Sequence, residues 1–174
     1  KTHVVRPFFR EHFARLDRQI VLIDALQAIN RGAEAVHDLE RALGDVLDCF
    51  RAGTNSFLSS FVTRRIDRIV IAATKADHLH HESHPRLEAV TRRLVERAIE
   101  RIGMSGAGIE VMALASVRAT REATVPHDGQ VLPVIVGTPM AGEKINGEIF
   151  DGEKKTAIFP GDLPESPDAL FQAL

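Results

Sequence analysis

A chain of 174 residues with 44% apolar content is long enough to bury a core and too apolar to be a disordered segment. Its formal charge of −2 supplies no basic field, which excludes nucleic acid as the expected partner. One cysteine, Cys49, excludes an internal disulfide and a cysteine-built zinc site, and no apolar run approaches the ~20 residues of a membrane span, so the cytosol is the expected compartment.

Val5, Phe9, His12, Phe13 and Leu16 recur at helical spacing with Pro7 in the first turn, which predicts an opening amphipathic helix. A chain that starts on Lys1 with helix already under way is expected to be a piece of a longer protein. Ile20-Val21-Leu22-Ile23 is a short continuous apolar run, the pattern of a strand buried on both faces of a parallel sheet. Val36, Leu39, Leu43, Val46, Leu47 and Phe50 mark a second helix that closes near Gly53. Ile66, Ile69, Val70 and Ile71 make a second buried strand. From Pro85, Leu87, Val90, Leu94, Val95, Ala98 and Ile102 trace a third helix ended by Gly103, and the arginines at 92, 93, 97 and 101 alternate with glutamates as on a solvated face. GIEVMALAS, from Gly108, supplies a third buried strand.

Helix and strand alternate with connections long enough for right-handed crossovers, which predicts an α/β fold built on a parallel sheet. Beyond Arg118 the texture changes. HDGQ before VLPVIVG, and FDG between KINGEI and KKTAIF, predict two hairpin-like pairs beside the sheet and then a loose Pro-rich tail from Pro160. Residues 1–118 thus form the α/β part and residues 119–174 a β-rich extension.

Ligands of parallel sheets sit beyond the carboxyl ends of the strands, so the loops starting at Asp24, Thr74 and Ala115 are the ones to search. The second strand ends in Thr74-Lys75-Ala76-Asp77, a match to [NT]-K-x-D. In that pattern the carboxylate of Asp77 takes two donors from one guanine edge, the ring imino hydrogen and the exocyclic amine. Adenine offers an acceptor and no amine there, which leaves the carboxylate unpaired. Lys75 lays its methylene stem along the base and extends its ammonium toward ribose and phosphates. Thr74 replaces the usual asparagine with a shorter side chain that has fewer donors. Four letters alone also fit an ordinary strand-end loop. The turn Ala115-Ser116-Val117 on the next strand adds weight, because the N–H groups of Ser116 and Val117 could face the guanine carbonyl.

Three other features invite chemistry and resist it. Asp24 and Gln27 in VLIDALQ mimic a magnesium-directing Asp-x-x-Gly element, but only one helix and one strand separate them from Thr74, so Asp24 is expected to cap or orient a neighbouring loop. GTPMAGEKI, from Gly137, mimics a phosphate loop, yet Glu143 intrudes before Lys144, and Asn146-Gly147 breaks the helix such a loop must open. His78, His80, His81 and His84 offer a pair at i,i+4, His80 with His84, and Glu82 nearby, a reading in which a histidine metal loop competes with a solvated connector. Cys49 is expected in the core rather than as a nucleophile.

VVRPFFREHFARLDRQIVLIDALQAIN, FVTRRIDRIVIAATKADH, LASVRATREA and DGEKKTAIFPGDLPE together resemble the YcjX-like family of bacterial P-loop NTPases, described as stress-related GTPase-like proteins. The resemblance implies that residues 1–118 are the C-terminal half of a GTPase-like nucleotide-binding domain. The phosphate loop and magnesium-directing element would lie upstream, outside this chain. It further implies that the full-length protein binds GTP or GDP with Mg and hydrolyses GTP, while this segment alone is inactive. By resemblance Thr74, Lys75 and Asp77 read the base and Ser116 and Val117 support it; no catalytic residue carries over. The implied partners are a guanine nucleotide, the missing N-terminal half and an unidentified protein partner at the inner membrane. The implied location is the bacterial cytoplasm or the periphery of that membrane. A non-hydrolysing interaction or scaffold module on the same fold is the competing reading.

Overall fold

The structure, a computed structural model, describes residues 18–49, 68–102, 108–145 and 147–173. The opening helix expected over residues 5–16, and the positions Phe50 and Ile66, lie outside the described residues. Strands β1 (Arg18–Ile23), β2 (Arg68–Ala73) and β3 (Gly108–Ala113) form a parallel sheet in the order β1-β2-β3. The register is unbroken, with Ile20 opposite Val70 and Val70 opposite Glu110.

Helices α1 (Ala25–Arg31) and α2 (Ala33–Cys49) join β1 to β2, and α3 (His84–Ile102) joins β2 to β3. Where one helix was expected, Gly32 divides the connection. Its φ of +92° is a conformation that an L side chain resists, and it separates α1 from α2. Helix α3 follows the apolar periodicity closely: Leu87, Val90, Leu94, Val95 and Ala98 are all buried, and Pro85 sits harmlessly in the first turn. Leu87, Leu94, Val95 and Ala98 meet Ile69, Ile71 and Val111 of the sheet and Val36, Leu43 and Leu47 of α2 in one core. Val46, expected on the same face, is 38% exposed.

The central strand β2 is buried as expected, with Ile69, Ile71, Ala72 and Ala73 all at 1% exposure or less, whereas the outer strands β1 and β3 are buried on one face only. Successive side chains alternate, and Ile20, Leu22 and Met112 point away from this core at 68%, 62% and 41% exposure. The physical reason is that consecutive right-handed crossovers along one direction lay their helices on one side of the sheet. A continuous apolar run cannot by itself report which side is covered.

The extension opens with β4 (Arg121–His127) and β5 (Gln130–Gly137), an antiparallel hairpin closed by Asp128 and Gly129, both at positive φ as a type I′ turn requires. The second expected hairpin is rearranged. Lys144–Ile145 (β6) pairs with Glu148–Ile149 (β7) inside KINGEI itself, while Thr156–Ile158 (β8) joins β5 instead.

The expected loose tail is also a docked one. Leu163 is 8% exposed and joins the core, and α4 (Pro167–Ala173) packs on α3. Arg93 Nε donates to Asp168 at 2.7 Å and Arg86 donates to the Leu163 carbonyl at 3.2 Å. Arg97 ties three helices: its Nε donates to the buried Glu40 of α2 at 3.0 Å while its guanidinium lies 4.9 Å from the Phe171 ring centre. Among the described residues no helix is long and apolar enough to cross a membrane.

Leu87 is fully buried between α3 and the sheet, whereas Val46 is part-exposed. Leu87→Ala should therefore cost about 2–5 kcal/mol in urea denaturation, and Val46→Ala less than about 1 kcal/mol. Equal losses would mean that the core is misplaced.

Candidate functional site

The parallel ladder runs on past the strand ends and fixes the start of each carboxyl-edge loop. Thr74 donates twice to the Ile23 carbonyl, from its N–H at 2.8 Å and from its hydroxyl at 3.0 Å. Leu114 N–H reaches the Ala73 carbonyl at 2.8 Å, and Ala76 N–H returns to the Leu114 carbonyl at 3.2 Å. The shorter side chain at Thr74 is thus occupied with β1. On the other flank, Glu88 of α3 accepts the Ala113 N–H at 2.9 Å and pins the end of β3.

Between these anchors Lys75 adopts a left-handed conformation, φ 62° and ψ 31°, so the chain turns sharply into the short 3₁₀ segment Ala76–His78. Its ammonium lies 2.5 Å from Asp24 Oδ2, directed to the end of β1. Asp24 also accepts the Gln27 N–H at 3.0 Å and so caps α1. Both roles expected of Asp24, capping and orienting, are met. Burial pushes its carboxyl up, but the Lys75 ammonium, the Gln27 N–H and the charge of His78 outweigh that and hold it below the ordinary aspartate range.

Asp77 is half-buried and faces the loop after β3. Its Oδ2 accepts the Ala119 N–H at 3.1 Å, and its carbonyl accepts the Thr120 hydroxyl. The structure thus joins the two loops singled out from sequence through Ala119 and Thr120. Ser116 and Val117, the expected supports, are exposed in that same loop, Val117 at 74%.

The model of the YcjX-like family, DUF463, matches residues 1–173. The chain belongs to the YcjX-like family. Among similar proteins, the Ras-like GTPase YcjX of Shewanella oneidensis is 31% identical over 161 residues, covering 92% of this chain and 31% of that protein. The Ras-like GTPase YcjX of Escherichia coli K12 is 32% identical over 161 residues, with 92% and 32% covered. The chain spans about a third of the length of the curated relatives it matches.

In this YcjX-like chain the phosphate-loop mimic is a β-turn. Gly142 N–H bonds the Phe150 carbonyl at 2.9 Å, Glu143 accepts the Met140 N–H at 2.9 Å, and Lys144 enters β6 rather than a helix. The histidine connector is also rearranged. An i,i+4 pair needs a helix from His80 to His84, but a 3₁₀ turn over His81–Ser83 intervenes and α3 begins only at His84. The imidazole of His84 is instead bonded through Nε2 to the Ala76 carbonyl at 2.8 Å, inside the Thr74–Asp77 loop. His81 Nδ1 meets Glu122 Oε2 of β4 at 2.8 Å, and His80 is buried beside it. Sequence reasoning missed Glu122 as the partner of His81. Nothing in the local pattern links it to a histidine 41 positions earlier.

The folded-state pKa of Asp24 is depressed, so its contribution to stability is complete above about pH 4 and is lost as pH falls through the lowered value. Asparagine caps helices as well as aspartate does. Asp24→Asn should therefore lose no more than about 1 kcal/mol at pH 7 and converge with the parent in acid, measured by urea denaturation across pH. A loss that persists after the pH has fallen through the lowered value would point to something other than the charge.

Proposed function

We propose that this segment reads the base of a guanine nucleotide for a longer YcjX-like protein, with residues 1–118 as the C-terminal half of the nucleotide-binding domain and 119–174 as its extension. The observation that carries the reading is the position of Asp77. It stands beyond the carboxyl end of the central strand β2, with one carboxylate oxygen braced by the Ala119 N–H of the adjoining loop. A carboxylate has about four acceptor sites, so this brace leaves capacity for the two parallel donors of a guanine edge. The ammonium of Lys75 is tied to Asp24, which leaves its methylene stem as the surface on which a base plane rests. Exposed Ser116 and Val117 leave their loop open for backbone N–H donation to the base carbonyl.

The relatives are named GTPases, and they extend well beyond the part this chain covers. GTP or GDP with Mg, the phosphate loop, the magnesium ligand and hydrolysis belong in this reading to the full-length protein. Most affinity for a triphosphate comes from phosphate-loop amides and the metal. The reading places the protein in the cytoplasm or at the inner face of the membrane.

The test uses the full-length protein and Asp77→Asn. An amide accepts one hydrogen through its oxygen and donates through its nitrogen, so it suits the second carbonyl of xanthine better than the amine of guanine. The parent should prefer GTP over ATP and XTP, and the variant should move its preference to XTP by tenfold or more in competition binding. Equal GTP and ATP affinity in the parent, unchanged by Asp77→Asn, would sink the reading.

A further inference from the structure

His80, His81 and Glu122 each present one ligand atom, and these atoms lie within 4.8 Å of one another. The histidines come from the connector between β2 and α3, and the carboxylate comes from β4 of the extension. We propose that these three side chains form a binding site for a divalent transition ion of the zinc class, which fastens the extension to the β2–α3 connector.

Two imidazoles and one carboxylate make a borderline N₂O donor set. It suits Zn²⁺ or Co²⁺ with water completing the shell, and it does not suit Mg²⁺ or Ca²⁺, which favour oxygen throughout. Metal bonds of about 2.0–2.1 Å at tetrahedral angles set donor atoms roughly 3.4 Å apart. His81 Nδ1 and Glu122 Oε2, now 2.8 Å apart, need to open by only about half an ångström on that geometry. His81 has the freedom to do so, because its side chain is 63% exposed. His80 is 5% exposed and holds its place in the wall, its ring 4.3 Å from that of His81. The Glu82 N–H reaches His80 Nδ1 only at 3.4 Å, a weak bond that a metal displaces at small cost.

The outer contacts suit the assignment. Arg118 Nη2 holds Glu122 Oε1 at 2.8 Å, which orients the carboxylate and leaves Oε2 turned to the histidines. His84, the other candidate from sequence, is committed to the Ala76 carbonyl and takes no part. The bound ion would reinforce a junction that already exists, since Thr120 and Ala119, next to β4, both bond Asp77. The site does not depend on what base the protein reads.

The experiment takes the intact protein, freed of nucleotide and metal, and titrates Zn²⁺ by calorimetry and Co²⁺ by its visible absorption. The expected result is binding at one equivalent in the micromolar range or tighter, with a rise in Tm. His81→Ala and Glu122→Gln should each weaken it by more than about tenfold, while His78→Ala leaves it unchanged. Glu122→Gln is nearly isosteric and keeps the test valid if His81→Ala fails to fold. Affinity equal in parent, His81→Ala and Glu122→Gln, affinity equally reduced by His78→Ala, or binding no tighter than millimolar would each overturn the proposal.

Discussion

The carbonyl of Ile23 is the anchor on which the candidate site depends. It receives both the N–H and the hydroxyl of Thr74, so the chain leaves β2 from a fixed point one step beyond the sheet. The next residue must then turn, and it does so with Lys75 in the left-handed region, a conformation costing on the order of 1–2 kcal/mol for an L residue. That cost is offset locally by the Asp24 contact and by the Ala76 N–H bond to Leu114. All three strands contribute: Ile23 from the end of β1, Thr74 following β2, and Leu114 following β3. The loop holding Lys75 and Asp77 is therefore a product of the sheet, although no residue in it lies on a strand.

The same dependence runs outward through the helices. Arg97 holds Glu40, a carboxylate only 9% exposed, and also covers Phe171, so α2, α3 and α4 share one cation. A buried carboxylate left without that partner would be expensive. Leu163 joins the core, and Leu170 and Phe171 border a small apolar cleft with Ala28, Val36 and Leu94 where the tail crosses α3 and α1. The extension is therefore fastened at both ends, by Asp77 with Ala119 and Thr120 at its start and by α4 at its close.

Much of this was legible in the residues. The α3 periodicity, the parallel α/β order, the Asp128-Gly129 turn and the carboxyl-edge placement of Thr74 to Asp77 all rest on short-range rules, which local sequence records. What was not legible depends on long-range pairing. The apolar runs at β1 and β3 look the same whether one face or two are covered, since alternation disappears when both faces carry Ile, Leu or Met. β8 chose β5 over the nearer β7, a preference that no local pattern carries. Glu122 carries no local signal, because its partner His81 lies across the fold. Helix α1 escaped notice because ALQAINR is brief and its stop depends on one glycine.

The sheet face that carries Ile20, Leu22 and Met112 has a practical side. Ala72 at its middle, flanked in register by Leu22 and Met112, is 0% exposed while both neighbours stand open. Any surface pressed against such a strip gains roughly 25 cal/mol for each Å² of apolar area it removes from water. A segment prepared alone would therefore tend to stick to itself, to vessel walls or to dye. Replacing Ile20 and Leu22 with threonine, which keeps β propensity while adding a hydroxyl, is the natural way to make it manageable at the bench.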